Sequence, residues 1–158
     1  MKKTKVIMNK DKLQIFKPID ARKIEEERIL KKYPQIFRQK DLSMKETCMC
    51  WGLEIGLGWM PLVDCLCGMI QAYINHNKLP QLEAVQVKEK FGGLRFYVSG
   101  GIDNYIDGMI ELAGDLSYFI CEDCGTMRNV SRNIKGWVRT LCPECRKKNE
   151  KRNNWDIK

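Results

Sequence analysis

Apolar positions along this chain recur with two periods, and the switch between them marks out the elements. Leu62, Leu66, Met69, Ile70 and Tyr73 recur at helical spacing, with Pro61 suited to a first helical position and Asn75-His76-Asn77 and Pro80 closing the run. The period then changes. Val85 and Val87 alternate with Gln86 and Lys88, and Leu94, Phe96 and Val98 alternate again beyond Phe91-Gly92-Gly93. That pattern predicts an antiparallel β-hairpin with one apolar and one polar face. Gly100-Gly101 interrupts the chain before a second amphipathic helix, predicted from Asp103 to Tyr118, with Ile106, Met109 or Ile110, Ala113 and Leu116 on its inner side.

Upstream the pattern is thinner. Asp20 is a suitable N-cap for a highly charged helix running to Tyr33, where Pro34 stops it. Its apolar positions, Ile24, Ile29, Leu30 and Tyr33, form a narrow stripe, which predicts a surface helix. Ser43 and Glu46 have capping-box spacing for a short helix, and Gly52, Gly56 and Gly58 punctuate WGLEIGLGW as an irregular loop. Short alternations at Val6–Met8 and Leu13–Phe16, around Asn9-Lys10-Asp11-Lys12, predict a small hairpin at the start. The sum is an α+β fold, with helices packed on a small antiparallel hairpin or sheet. Its divisions are a basic extension over 1–45, an α+β core over 46–120, a cysteine-rich module over 121–148 and a polar tail over 149–158.

At 158 residues the chain is long enough to bury a core without disulfides, and its balance of apolar and charged residues is that of a soluble globular protein. The apolar run Met60–Ile74 contains Asp64 and Gln71 and reads as too short to span a bilayer, so no membrane partner is expected. The basic start MKKTKVIMNKDK lacks the continuous apolar segment of a signal peptide. A reducing, cytoplasmic setting is expected, in which eight cysteines argue for metal binding or packing. Charge is uneven: residues 1–45 carry a net +8, residues 46–120 a net −5 and residues 121–158 a net +5. Basic ends around an acidic centre suit an anionic partner.

Cys121-x-x-Cys124 and Cys142-x-x-Cys145 are separated by 17 residues. Each pair can grip one ion in a tight knuckle, and two knuckles supply four tetrahedral sulfurs. Gly125 permits the turn after the first pair, and Pro143 stiffens the second. The competing readings are a redox pair or four buried thiols; two matched pairs at this separation favour one structural zinc ion in a C-terminal zinc ribbon. A site closed by four sulfurs has no open position for catalysis. Met127–Val130 and Trp137–Leu141 would form the ribbon's strands, with Lys135-Gly136 near the turn. Cys48, Cys50, Cys65 and Cys67 read as small buried hydrophobes rather than a second site.

Two surfaces suit anions. On the polar face of the hairpin, Lys88 and Lys90 would converge with Arg95 and Tyr97 from the partner strand, joining ammonium groups, a guanidinium fork and a phenol. An ordinary solvent-facing sheet surface is the competing reading. On the ribbon, Arg128, Arg132, Lys135 and Arg139 surround Trp137, a combination that suits phosphates and bases. Asp103, Asp107, Glu111 and Asp115 recur every four residues on the second amphipathic helix. A magnesium-dependent nuclease would use such carboxylates, but without a nearby His or Lys they read as a solvated face. No phosphate-binding loop, dinucleotide fingerprint, zinc-protease helix or nucleophile elbow is present.

GLGW, VKEKFGGLRFY, the Asp-rich helix, CEDCG and GWVRTLCPEC, in that order over roughly residues 50–146, resemble a widespread group of small, functionally uncharacterised proteins carried by bacteriophages and prophages. Members of that group usually carry an acidic residue before the Trp of the first motif, where this chain has Leu57-Gly58. The resemblance implies a mobile-element origin and action inside a bacterial host cell, and supplies no activity. The expected function is a non-enzymatic, zinc-containing binding protein acting on an anionic partner, nucleic acid first. The alternatives are sequestration of a phosphate-bearing nucleotide signal in host defence, docking on a host protein as an inhibitor, and the magnesium-dependent nuclease.

Overall fold

The computed structural model describes residues 20–133 and 136–153; the hairpin expected over the first nineteen residues, and Lys135, lie outside the described residues. In order the elements are α1 (Ala21–Lys32), β1 (Leu53–Glu54), α2 (Met60–Asn77), β2 (Glu83–Lys90), β3 (Gly93–Ser99), α3 (Asn104–Ser117), β4 (Ser131–Arg132), β5 (Thr140–Leu141) and α4 (Pro143–Asn153). Short 3-10 turns at Arg38–Asp41, Met49–Trp51 and Leu57–Trp59 connect the first elements. The fold is α+β, with helices on a three-stranded sheet and a C-terminal four-cysteine module arranged as in a zinc ribbon.

Helix α1 begins where Asp20 accepts a hydrogen bond from the Arg22 amide, and ends as the Tyr33 amide donates to the Ile29 carbonyl. It is set deeper than its narrow stripe predicts. Ile29 is fully buried, Tyr33 nearly so, and Ile36 and Phe37 follow them into the main core. Phe37 meets Phe96 edge to face at 6.3 Å, and the Ile36 carbonyl accepts from the Ala84 amide at 2.7 Å. The polar residues of α1 also face inward. Arg22 donates to the carbonyls of Leu53 and Ile55, while Glu26 accepts from the Leu53 amide. The Ser43–Glu46 box closes a single turn instead of starting a helix.

Strand order is β1-β2-β3, with β2 and β3 antiparallel as expected. β1 pairs with β2 in parallel through Leu53↔Val87, so the sheet is mixed. A bulge between Ala84 and Gln86 lifts Val85 out of the alternation, leaving Ala84 and Val87 as the buried positions. Leu53, Val87, Leu94 and Phe96 line the core face. Gln86, Lys88, Arg95 and Tyr97 share the opposite one, with Lys88 across from Arg95 and Gln86 across from Tyr97.

Helix α2 and its leading turn, Leu57–Asn77, are long and apolar enough to cross a membrane by length and composition, which corrects the expectation of too short a run. Met60, Val63, Leu66, Cys67, Ile70 and Ile74 are buried in the core. The buried stripe is therefore rotated from the predicted one, and Met69 is half exposed. Asp103 caps α3 through the amides of Tyr105 and Ile106 and accepts from the Tyr73 hydroxyl at 3.0 Å, so it belongs to the helix end rather than to an acidic stripe. Ser117 closes α3 against the sheet by accepting from the Leu94 amide at 2.9 Å.

Asp64 of α2 fastens α1 through Arg28 (2.6 Å), Lys32 (2.8 Å) and the Tyr33 hydroxyl (2.8 Å). Burial would raise this carboxyl, but hydrogen bonds from Lys32, Arg28 and Tyr33 outweigh it and hold the group at about 2. A depressed native pKa contributes stability above the unfolded value and loses it as pH falls through the native value. Asp64→Asn is therefore expected to lower the melting temperature by several degrees at neutral pH. The deficit should shrink as pH falls from about 4 towards 2, in thermal melts followed by circular dichroism across that range.

Candidate metal centre and the surface around it

The four sulfurs of Cys121, Cys124, Cys142 and Cys145 all lie within 4.8 Å of one another. Cys124 and Cys142 are 3.8 Å apart. A tetrahedron with metal–sulfur bonds of about 2.3 Å has edges of about 3.8 Å, so the donor set fits a closed four-sulfur site. Cys121, Cys142 and Cys145 are buried and Cys124 is exposed. Gly125, at φ +77°, turns the first knuckle so that its amide donates to the Cys121 carbonyl, while the Cys121 amide donates to the Thr126 carbonyl. At the second knuckle the Cys145 amide, directed at the Cys142 sulfur, lowers that thiol, while burial raises that of Cys145. Among the described residues this is the one group of three or more potential ligands with atoms close enough to hold a metal.

The strands between the knuckles are shorter than predicted. Met127–Val130 is not a strand; β4 and β5 pair over two residues each, Ser131↔Leu141 and Arg132↔Thr140. From Pro143, inside the second knuckle, the chain runs as α4 to Asn153, where a polar tail was expected from residue 149. Cys67 is buried in the main core as expected, but Cys48 and Cys65 are exposed and Cys50 is intermediate.

Glycines decide how this module meets the rest of the chain. The Gly58 amide donates to the Glu122 carbonyl at 2.7 Å, and the Trp59 indole donates to the Ile120 carbonyl at 2.8 Å. A Cβ on Gly58 would sit 2.2 Å from the Cys121 carbonyl oxygen and 2.3 Å from the Gly125 nitrogen; one on Gly56 would sit 2.3 Å from the Glu122 carbonyl oxygen. On the hairpin side, the Thr140 hydroxyl donates to the Gly92 carbonyl at 2.5 Å, and the Thr140 carbonyl accepts from the Glu122 amide at 3.0 Å. The GLGW and FGG motifs are thus the two seats of the module.

Arg139 serves this joint. It meets the Glu122 carboxylate at 3.0 Å and that of Asp123 at 2.6 Å, and Asp123 also accepts from Asn149 of α4. Burial raises the Glu122 carboxyl, and the Arg139 guanidinium beside it works in the opposite direction. Arg139 is therefore tied inward to two carboxylates.

The other predicted residues are deployed differently. Arg128 and Arg132 are exposed, and Trp137 is 81% exposed. Arg132 lies 5.2 Å from the centre of the Tyr118 ring, and the Tyr118 hydroxyl accepts from Arg95 at 3.2 Å. Tyr118, missed in the sequence, thus joins the hairpin cation to a ribbon cation. Its signal was Gly93, where a Cβ would fall 2.5 Å from the Tyr118 hydroxyl. Arg95 and Tyr97 line a groove of about 600 Å³, but so do Asp107, Glu111 and Asp115, while Lys88 and Lys90 do not. The groove brings together carboxylates and one guanidinium, while Lys88 stands across from Arg95 on the same polar face of the hairpin. Among the described residues none of those carboxylates forms an ion pair with Arg95.

Gly58→Ala is expected to destabilise the chain by on the order of 3 kcal/mol in urea titrations, since only backbone stands in the way of the new methyl group. Cys142→Ser should abolish metal retention and remove the protection of residues 121–146 from hydrogen exchange. No protein-family model, curated protein or solved structure matches the chain, so its function is read from this geometry.

Proposed function

We propose that this chain is a non-enzymatic binding protein that holds one structural zinc ion and binds nucleic acid through its ribbon and the adjoining hairpin tip. Four clustered thiols with no oxygen or nitrogen ligand among them favour zinc, and a closed site leaves the metal a staple. One observation carries the choice of partner. Arg22, Arg28, Arg38 and Arg139 each meet a carboxylate, whereas Arg128 and Arg132 on the ribbon and Lys90 at the hairpin tip are exposed and meet none among the described residues. Unneutralised cations on one module, with Lys90 lining the same cleft as the exposed Trp137, are the footprint of phosphate and base contact. Arg132 lies 5.2 Å from the centre of the Tyr118 ring and is exposed, where a guanidinium can meet phosphate.

The groove beside Arg95 supports a nucleotide pocket less well, because three carboxylates there would repel a phosphate. The resemblance to phage-borne proteins, carried by KFGGLRFY and the paired knuckles, fits action on nucleic acid in a bacterial cytoplasm.

Elemental mass spectrometry of the purified protein should find one zinc per chain. Binding to DNA and RNA oligomers, followed by anisotropy, should weaken steeply between about 50 and 200 mM salt. Arg128→Glu and Arg132→Glu should each lower the salt slope by about one. Arg139→Gln should instead lower stability without changing that slope. Absence of binding at low salt, or full binding by the doubly reversed variant, would overturn the reading.

A further inference from the structure

The hairpin tip carries a residue that its own turn does not want. Lys90 pairs with Gly93, so Phe91 and Gly92 alone form the two-residue turn, with φ of +53° and +77°. A two-residue turn with both φ values positive is the type I′ geometry, which favours Asn-Gly and disfavours a bulky side chain at its first position. Phe91 nevertheless occupies it, and the residue is 65% exposed. It therefore strains the backbone without filling the core. A strained, solvent-facing aromatic is a candidate for a contact made outside the fold.

A second exposed aromatic faces the same space. Phe91 and Trp137 line a cleft of about 280 Å³ together with Glu89, Lys90, Gly136 and Val138. The Trp137 segment is fixed: Asn133 donates to the Trp137 carbonyl at 2.9 Å and accepts from the Arg139 amide at 2.7 Å. The turn that carries Phe91 is fixed as well, because the Thr140 hydroxyl holds the Gly92 carbonyl and the Glu89 carboxylate accepts from the Gly92 amide. Lys90 stands at the rim with its ammonium 5.6 Å from the centre of the Phe91 ring. Two rings, a nearby cation and a volume below that of drug-sized ligand sites suit one planar, weakly polar ring carried on a phosphate backbone.

We infer that the cleft between Phe91 and Trp137 binds an unpaired nucleobase, so that the nucleic acid this chain takes is single-stranded. The inference rests on the nucleic-acid reading and narrows it. Bases within a duplex are stacked on one another and offer no free face to the cleft, whereas any unpaired base does.

The test uses the full-length, zinc-loaded protein and three probes of matched length: a single-stranded oligothymidylate, the same backbone without bases, and a duplex. The base-containing single strand should bind about tenfold more tightly than the abasic strand. Phe91→Asn and Trp137→Ala should each remove most of that difference while leaving the salt slope unchanged. Phe91→Asn should do so with an unchanged or higher melting temperature, because Asn suits the turn, so loss of binding cannot be ascribed to loss of fold. Equal binding of abasic and base-containing strands, or full discrimination by Phe91→Asn, would overturn the cleft while leaving phosphate binding intact. Failure of all three probes to bind would overturn the nucleic-acid reading and the cleft together.

Discussion

The backbone of Glu122 is the joint on which the C-terminal third depends. Its carbonyl accepts from the Gly58 amide in front of α2, and its amide donates to the Thr140 carbonyl, whose side chain reaches the hairpin turn at Gly92. One hydrogen-bonded path therefore runs from the GLGW loop through both halves of the ribbon to the tip of the sheet. The ribbon needs such a path. Its own buried cluster is Cys121, Leu141, Cys142 and Cys145, with Val130 partly covering it, too little apolar surface to order the segment unaided. Metal binding supplies on the order of 10–16 kcal/mol in modules of this kind, but it fixes only the knuckles. The Glu122 contacts fix where the knuckles sit.

That joint also sorts the charges of the ribbon. Glu122 is nearly fully buried, and burying a carboxylate is costly unless a cation and hydrogen bonds accompany it. Arg139 accompanies it and binds Asp123 as well, while Asn149 brings α4 to the same carboxylate pair. One arginine is thereby turned inward, and Arg128 and Arg132 are left outward. The difference lies not in residue type but in which backbone each side chain leaves. Arg139 precedes β5 and is held at its amide by Asn133, whereas Arg132, across from Thr140 on β4, is carried onto the Tyr118 ring.

Local chemistry was legible in the sequence and distant contact was not. The cysteine pairs, the Asp20 cap and the hairpin around Phe91-Gly92 depend on neighbours a few residues away, and spacing alone identified them. The roles of Gly58 and Gly93 depend on Cys121 and Tyr118, far along the chain, so these residues read only as loop and turn glycines. The inward set of α1 was hidden for a related reason. Arg22, Glu26, Arg28 and Lys32 read as a solvated face, yet they bind the β1 loop and Asp64. Likewise, Arg128, Arg132 and Arg139 are alike in sequence, and only the position of Glu122 separates a structural guanidinium from an available one.

On the proposed reading, the staple and the recognition surface are one construction. Trp137 stands in the loop between β4 and β5, and those strands are only two residues long, so their pairing holds the loop weakly by itself. What places Trp137 beside Phe91 is the second knuckle following β5, the first knuckle preceding β4, and the Thr140–Gly92 hydrogen bond between them and the hairpin. A metal buried among four sulfurs cannot touch a ligand, but it limits how far the two aromatic rings can part. On the proposed reading, the metal would act on recognition through position. The same constraint accounts for an aromatic at a turn that favours Asn: a ring at position 91 has a fixed partner only because the ribbon is held against the turn.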